Sequence, residues 1–119
     1  IIIKGRKMRE IKFRAWDEEQ SEMFYSSMYQ DKTSMGYGLG NFLKECSDIE
    51  DTLMQYTGLK DKNNVEIYEG DILKGGIYKS YVVEWDRFNT TFNLNDYSCA
   101  AAFEVIGNIY ENLELLRED

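Results

Sequence analysis

A chain of 119 residues with a net charge of −8 fits one domain or two small intertwined halves, and its acidic surface repels phosphate backbones in general. Its 43% hydrophobic and 14% aromatic content supplies a core and excludes wholesale disorder. There is no proline, so glycine and asparagine must make the turns.

The charge is uneven. Three of the 14 basic residues and none of the 22 acidic ones fall in IIIKGRK, so the chain from Met8 onward carries −11. MREIKFRAWD reads as a natural start at Met8, which makes residues 1–7 an upstream extension. The alternative is that Ile1 to Ile3 form an edge strand. Three isoleucines are too few for a signal peptide or a membrane span. Cys46 and Cys99 lie far apart in no metal-binding spacing, and two free buried thiols in the cytoplasm are expected.

Ile11 to Trp16 alternates with period two. Ile11, Phe13 and Ala15 take one face, and Lys12, Arg14 and Trp16 the other. Asp17 to Glu22 is a polar connection, and Met23-Phe24-Tyr25 returns as a second strand. QDKTSMGYGLGN, residues 30–41, reads as a flexible loop. Its Gly36, Gly38 and Gly40 lack the spacing of a dinucleotide loop. Asn41 to Met54 is the helix candidate, with Asn41 as cap and Phe42, Leu43, Cys46, Ile49 and Leu53 at helical spacing. Ser47-Asp48 is a second capping signal that can divide it in two.

After Tyr56 the pattern is β. Val65 to Tyr68 alternates, Glu69-Gly70-Asp71 turns, and Ile72-Leu73-Lys74 departs. Tyr81 to Trp85 has the highest β-propensity. Asp86 to Asn89 turns the chain into Thr90 to Leu94. Phe103 to Ile106 is a further strand, and Gly107 marks a bulge or bend before Asn108-Ile109-Tyr110. Leu113, Leu115 and Leu116 close the chain. Short strands with turns between them predict a small barrel or a strongly bent sheet.

YTGLKDKNNVEIYEGDILK, residues 56–74, reads as an architectural joint. Gly58 supplies positive φ, Asp61 to Asn64 turns with Asn in the left-handed region, and Gly70 aims Ile72 into the core. Three blocks carry a family resemblance: KFRAWDEEQSEMFY (12–25), LMQYTGLKDKNNVEIYEGDIL (53–73) and FEVIGNIYENLELL (103–116). On these the chain resembles the YopX-like family of phage and prophage proteins. The resemblance implies a mainly β (α+β) fold. It implies an SH3-like small β-barrel in the C-terminal half, 57–119, after a smaller β/helix portion, 8–56. Tyr56, Gly58, Gly70, Asp71 and Gly107 are its structural motif residues. It assigns no activity. The family usually has Asn-Gly where this chain has Asn63-Asn64, and often Pro where it has Leu113.

There is no histidine, which removes the commonest general base and the usual zinc sites. No phosphate-loop, zincin or nucleophile-elbow motif occurs. Glu69 with Asp71, and Asp17 with Glu18 and Glu19, are either solvated turns or hard-cation ligands. No cofactor is expected. The aromatic residues are the richer resource: nine tyrosines besides Trp16 and Trp85. Tyr68, Trp85 and Tyr110 are the candidate binding residues of the barrel half, set against plain core packing.

A non-enzymatic module binding a host or phage protein is the first expectation. A nucleic-acid-associated or DNA-mimicking acidic module is the second. A carboxylate and metal enzyme is the third. A homo-oligomer is expected from exposed edges and from Met23, Phe24 and Met28.

Overall fold

A computed structural model describes residues 10–29, 37–75, 80–94 and 102–116. Period-two alternation makes strand β1, Phe13–Asp17, and β2, Glu22–Tyr25, joined by a polar turn in which Ser21 takes φ 50. A 3-10 turn follows at Ser26–Tyr29. Helix α1 is Tyr37–Glu45, with a second 3-10 segment at Ser47–Thr52. Strand β3, Met54–Lys60, then pairs with β1 on one edge and with β4, Glu66–Tyr68, on the other. The first sheet therefore runs β2-β1-β3-β4.

Strands β5, Asp71–Lys74, β6, Tyr81–Val82, and β9, Glu104–Asn108, make a second sheet in the order β6-β5-β9. Strands β7, Trp85–Asp86, and β8, Thr91–Phe92, form a separate hairpin. The molecule is thus mainly β with few helices. A last 3-10 turn spans Leu113–Leu116.

Two buried clusters hold these elements. Ala15, Phe42 and Cys46 pack α1 onto the first sheet, with Phe13, Phe24, Leu39 and Ile49 around them. Ile67, Leu73, Val83, Leu94 and Phe103 form the other, which draws on both sheets.

The structure departs from the sequence reading in the helix and in the stretch Tyr81 to Trp85. The helix begins at Tyr37, not after Asn41, so Asn41 lies exposed inside it and caps nothing. Gly38 and Gly40 each disfavour helix by about 1 kcal/mol. The burial of Phe42 and Cys46 outweighs that cost. The helix also stops at Glu45, and Met54 opens a strand. Gly36 and Cys99 lie outside the described residues.

Arg14 and Trp16, on the face opposite Ala15, are 4% and 5% exposed, while Ile11 is 58% exposed. Antiparallel strands often leave one face to water, but β1 is buried on both, at Arg14 and Trp16 on one and Ala15 on the other. Tyr81 to Trp85 divides at Val83, which leaves the ladder to bond the joint described below. Strand β3 runs through positions 56 and 57, so Tyr56 and Gly58 share that one strand.

Gly58 and Gly70 take φ 88 and 83, and Asn64 takes φ 67, as the turn chemistry required. Gly107 faces Ile72 while Val105 faces Leu73, which leaves Ile106 as the extra residue of the expected bulge. A Cβ at Gly75 would stand 2.3 Å from the Phe103 ring. Gly75→Ala is expected to cost about 1–3 kcal/mol by overpacking that ring, read as a shifted urea midpoint at unchanged slope.

Candidate functional site

The chemistry of the Glu69-Gly70-Asp71 turn begins with its backbone. Gly70 donates to Val83 O and accepts from Ile109 N, both at 2.9 Å, and Asp71 O accepts from Val83 N. One glycine thus ties β6 and the end of β9 to the first sheet. A Cβ on it would meet Met54 Sδ at 2.9 Å.

The side chains continue the joint. Arg14 Nη2 donates to Asp71 Oδ1 at 2.8 Å and to Glu69 O at 3.0 Å. Asp71 Oδ2 accepts from Tyr68 N, and Glu69 Oε1 from Gln55 N. Burial pushes the Asp71 carboxyl above the ordinary carboxylate value, with Arg14 and the Tyr68 amide pulling it back. Arg14 Nε is buried without a hydrogen-bond partner among the described residues. Both carboxylates are therefore committed within the fold: Asp71 ties β5 to Arg14 and Tyr68 of the first sheet, and Glu69 ties the turn back onto β3. Among the described residues no three His, Cys, Asp or Glu side chains converge as a metal set.

The three candidate aromatic residues do not share a surface role. Tyr68 is 3% exposed, lies between Tyr25 and Tyr56, and carries the Arg14 guanidinium 4.8 Å from its ring centre. Burial pushes its hydroxyl up to about 12. Tyr110 stacks on Trp16 at 6.0 Å, a second bridge between the sheets. Trp85 alone is open, 48% exposed on the β7–β8 hairpin and edge-on to Phe92 at 5.1 Å.

That hairpin holds a residue the sequence reading missed. Phe88 is 94% exposed at its tip. Asp86 shapes the turn: Oδ1 accepts from Phe88 N and Asn89 N, and Oδ2 from Asn89 Nδ2. The Asn89 side chain, with these amides, holds the Asp86 carboxyl below its ordinary value. An aromatic residue inside turn chemistry that favours polar ones was the available signal.

Asp17, Glu18 and Glu19 have a setting of their own. With Glu45 and Asp48 they ring a cleft of about 640 Å³ whose apolar lining is Phe24, Tyr29, Ile49 and Cys46. No Lys or Arg among the described residues lines it. Burial first, then Glu45 and Asp17, pushes the Cys46 thiol up. Of the residues expected to favour self-association, Met28 is 66% exposed, and Met23 and Phe24 are half-buried.

Asp61 was read as a turn residue and does more. Its Oδ1 accepts from Asn63 N and Val65 N, and its Oδ2 from Val105 N on β9. Burial alone would raise its carboxyl, but these three amides hold it below the ordinary value. No described helix is long and apolar enough to cross a membrane.

Comparison with known proteins adds three findings. The family model described as YopX protein matches residues 12–117. No curated protein matches. Protein EF1440 from Enterococcus faecalis, known from a crystal structure, is similar at 29% identity and a TM-score of 0.55, covering 92% of this chain and 100% of its own.

Proposed function

The chain belongs to the YopX family, and from that membership we propose that it is a non-enzymatic protein-interaction module of phage or prophage origin. It works in the bacterial cytoplasm on a host or phage protein. In this reading residues 57–119 are an SH3-like barrel portion, and the β7–β8 hairpin is its contact surface.

The observation that carries the reading is Phe88, 94% exposed on a turn built to hold it, with Trp85 beside it. A monomer gains nothing from an aromatic ring held in water. A partner pocket gains a buried aromatic anchor, the residue class that dominates protein interfaces. The carboxylates that would serve a metal enzyme at Glu69 and Asp71 are already bonded within the fold. The net charge of −8 opposes a phosphate-backbone partner.

Affinity capture from host lysate tests this, with and without nuclease, comparing the natural chain with Phe88→Ser. A stoichiometric protein is expected to survive nuclease and to be lost with the variant. Loss of every partner on nuclease treatment would favour the nucleic-acid reading instead.

A further inference from the structure

The hairpin tip and the acidic cleft are complementary. The tip offers adjacent Arg87 and Phe88, a cation and an aromatic ring. Both are exposed, and Arg87 has no ion pair among the described residues. The tip's own Asp86 is turned back onto Phe88 and Asn89. The cleft offers the reverse: an apolar lining for a ring, and five carboxylates with no cation among its lining residues. Its volume of about 640 Å³ has room for both side chains.

We infer that the chain self-associates by seating the Arg87–Phe88 tip of one copy in the acidic cleft of another. This rests on reading the hairpin as a protein-binding surface and names its occupant. Phe88 packs on Phe24, Tyr29 and Ile49, and Arg87 meets the carboxylates of Glu45 and Asp48. Tip and cleft are different patches, so the contact is heterologous. Two made reciprocally close a two-fold dimer. The overall charge of −8 on each copy opposes approach, but salt screens that repulsion beyond about 8 Å, and within that range contact pairs take over.

Sedimentation velocity of the whole chain at micromolar concentrations reads the outcome. A concentration-dependent dimer is expected. Phe88→Ser and Arg87→Glu should each weaken it by about thirtyfold or more, the scale of an interface anchor. All these positions except Phe24, Tyr29 and Ile49 are exposed, so the variants keep their melting temperature.

The decisive arm is a charge exchange. Arg87→Glu alone and Glu45→Lys/Asp48→Lys alone should each be monomeric. Their equimolar mixture should dimerise again, because each tip then finds a cleft of opposite sign. A natural chain that is monomeric throughout, variants that dimerise unchanged, or a mixture that stays monomeric would each overturn the inference. A monomeric natural chain that still loses a captured protein on Phe88→Ser overturns the self-association alone. If neither dimer nor capture responds to Phe88→Ser, the protein-binding reading falls with it.

Discussion

Asp71→Asn is expected to destabilise the fold by about 3–5 kcal/mol, a fall in melting temperature of more than about 10 °C. The substitution keeps an oxygen for Tyr68 N–H but leaves the Arg14 guanidinium, 4% exposed, with no counter-charge. Arg14→Met is expected to cost as much, because it strands the Asp71 carboxylate instead. The pair itself adds little beyond what an apolar contact would give, since burial already pushes the Asp71 carboxyl up despite Arg14. The double variant Arg14→Met/Asp71→Asn should therefore lose less than either single one. A double-mutant cycle by urea denaturation measures this, and additive single losses would refute the coupling.

The pH dependence of Asp71 has a definite sign. Its folded value lies above the ordinary 3.8, so the folded chain holds the proton more tightly. Its contribution is full below pH 3.8 and falls as pH rises through the raised value.

The second large effect belongs to Asp61, and its sign is opposite. Asp61→Asn should cost about 2–3 kcal/mol at pH 7, because a carboxylate that serves three amides becomes an amide whose nitrogen faces Val105 N–H. The folded value of Asp61 lies below the ordinary 3.8, so the unfolded chain takes up the proton first. The stability that Asp61 supplies is complete well above pH 3.8 and is lost as pH falls through the lowered value. The gap in melting temperature between natural chain and variant should therefore narrow from pH 7 to pH 3. A gap that is constant or widens would contradict this assignment.

These two carboxylates mark where sequence reading stops. Turn chemistry is local, so Gly58, Asn64, Gly70 and the bulge at Gly107 were legible: each follows from what one residue type permits. Strand alternation was legible too, but the partner of each face was not. The burial of Arg14 could not be read, because nothing in IKFRAW says that β1 lies inside a sheet whose second face meets Asp71, 57 positions on. Asp61 looked like a turn residue because its bonds to Asn63 and Val65 are local, while the one to Val105 spans 44 positions. The helix start was misplaced because glycine propensity is local and the burial of Phe42 is tertiary. Of the candidate site, Trp85 was named, and Phe88 was passed over as part of a turn. The acidic residues of the cleft come from both sides of α1, and only the fold joins Asp17 to Glu45 and Asp48.

Side-chain oxygens that bond backbone amides also guard two strand edges. Strands β4 and β9 are the outer strands of their sheets. Unoccupied outer strands template fibre growth by offering N–H groups to any passing chain. Here Tyr68 N is taken by Asp71, Val105 N by Asp61 and Asn108 N by Asn112. A would-be neighbour strand finds these donors already spent on the protein's own side chains. At these two edges the folded chain therefore offers fewer free donors for strand-by-strand extension into an amyloid stack.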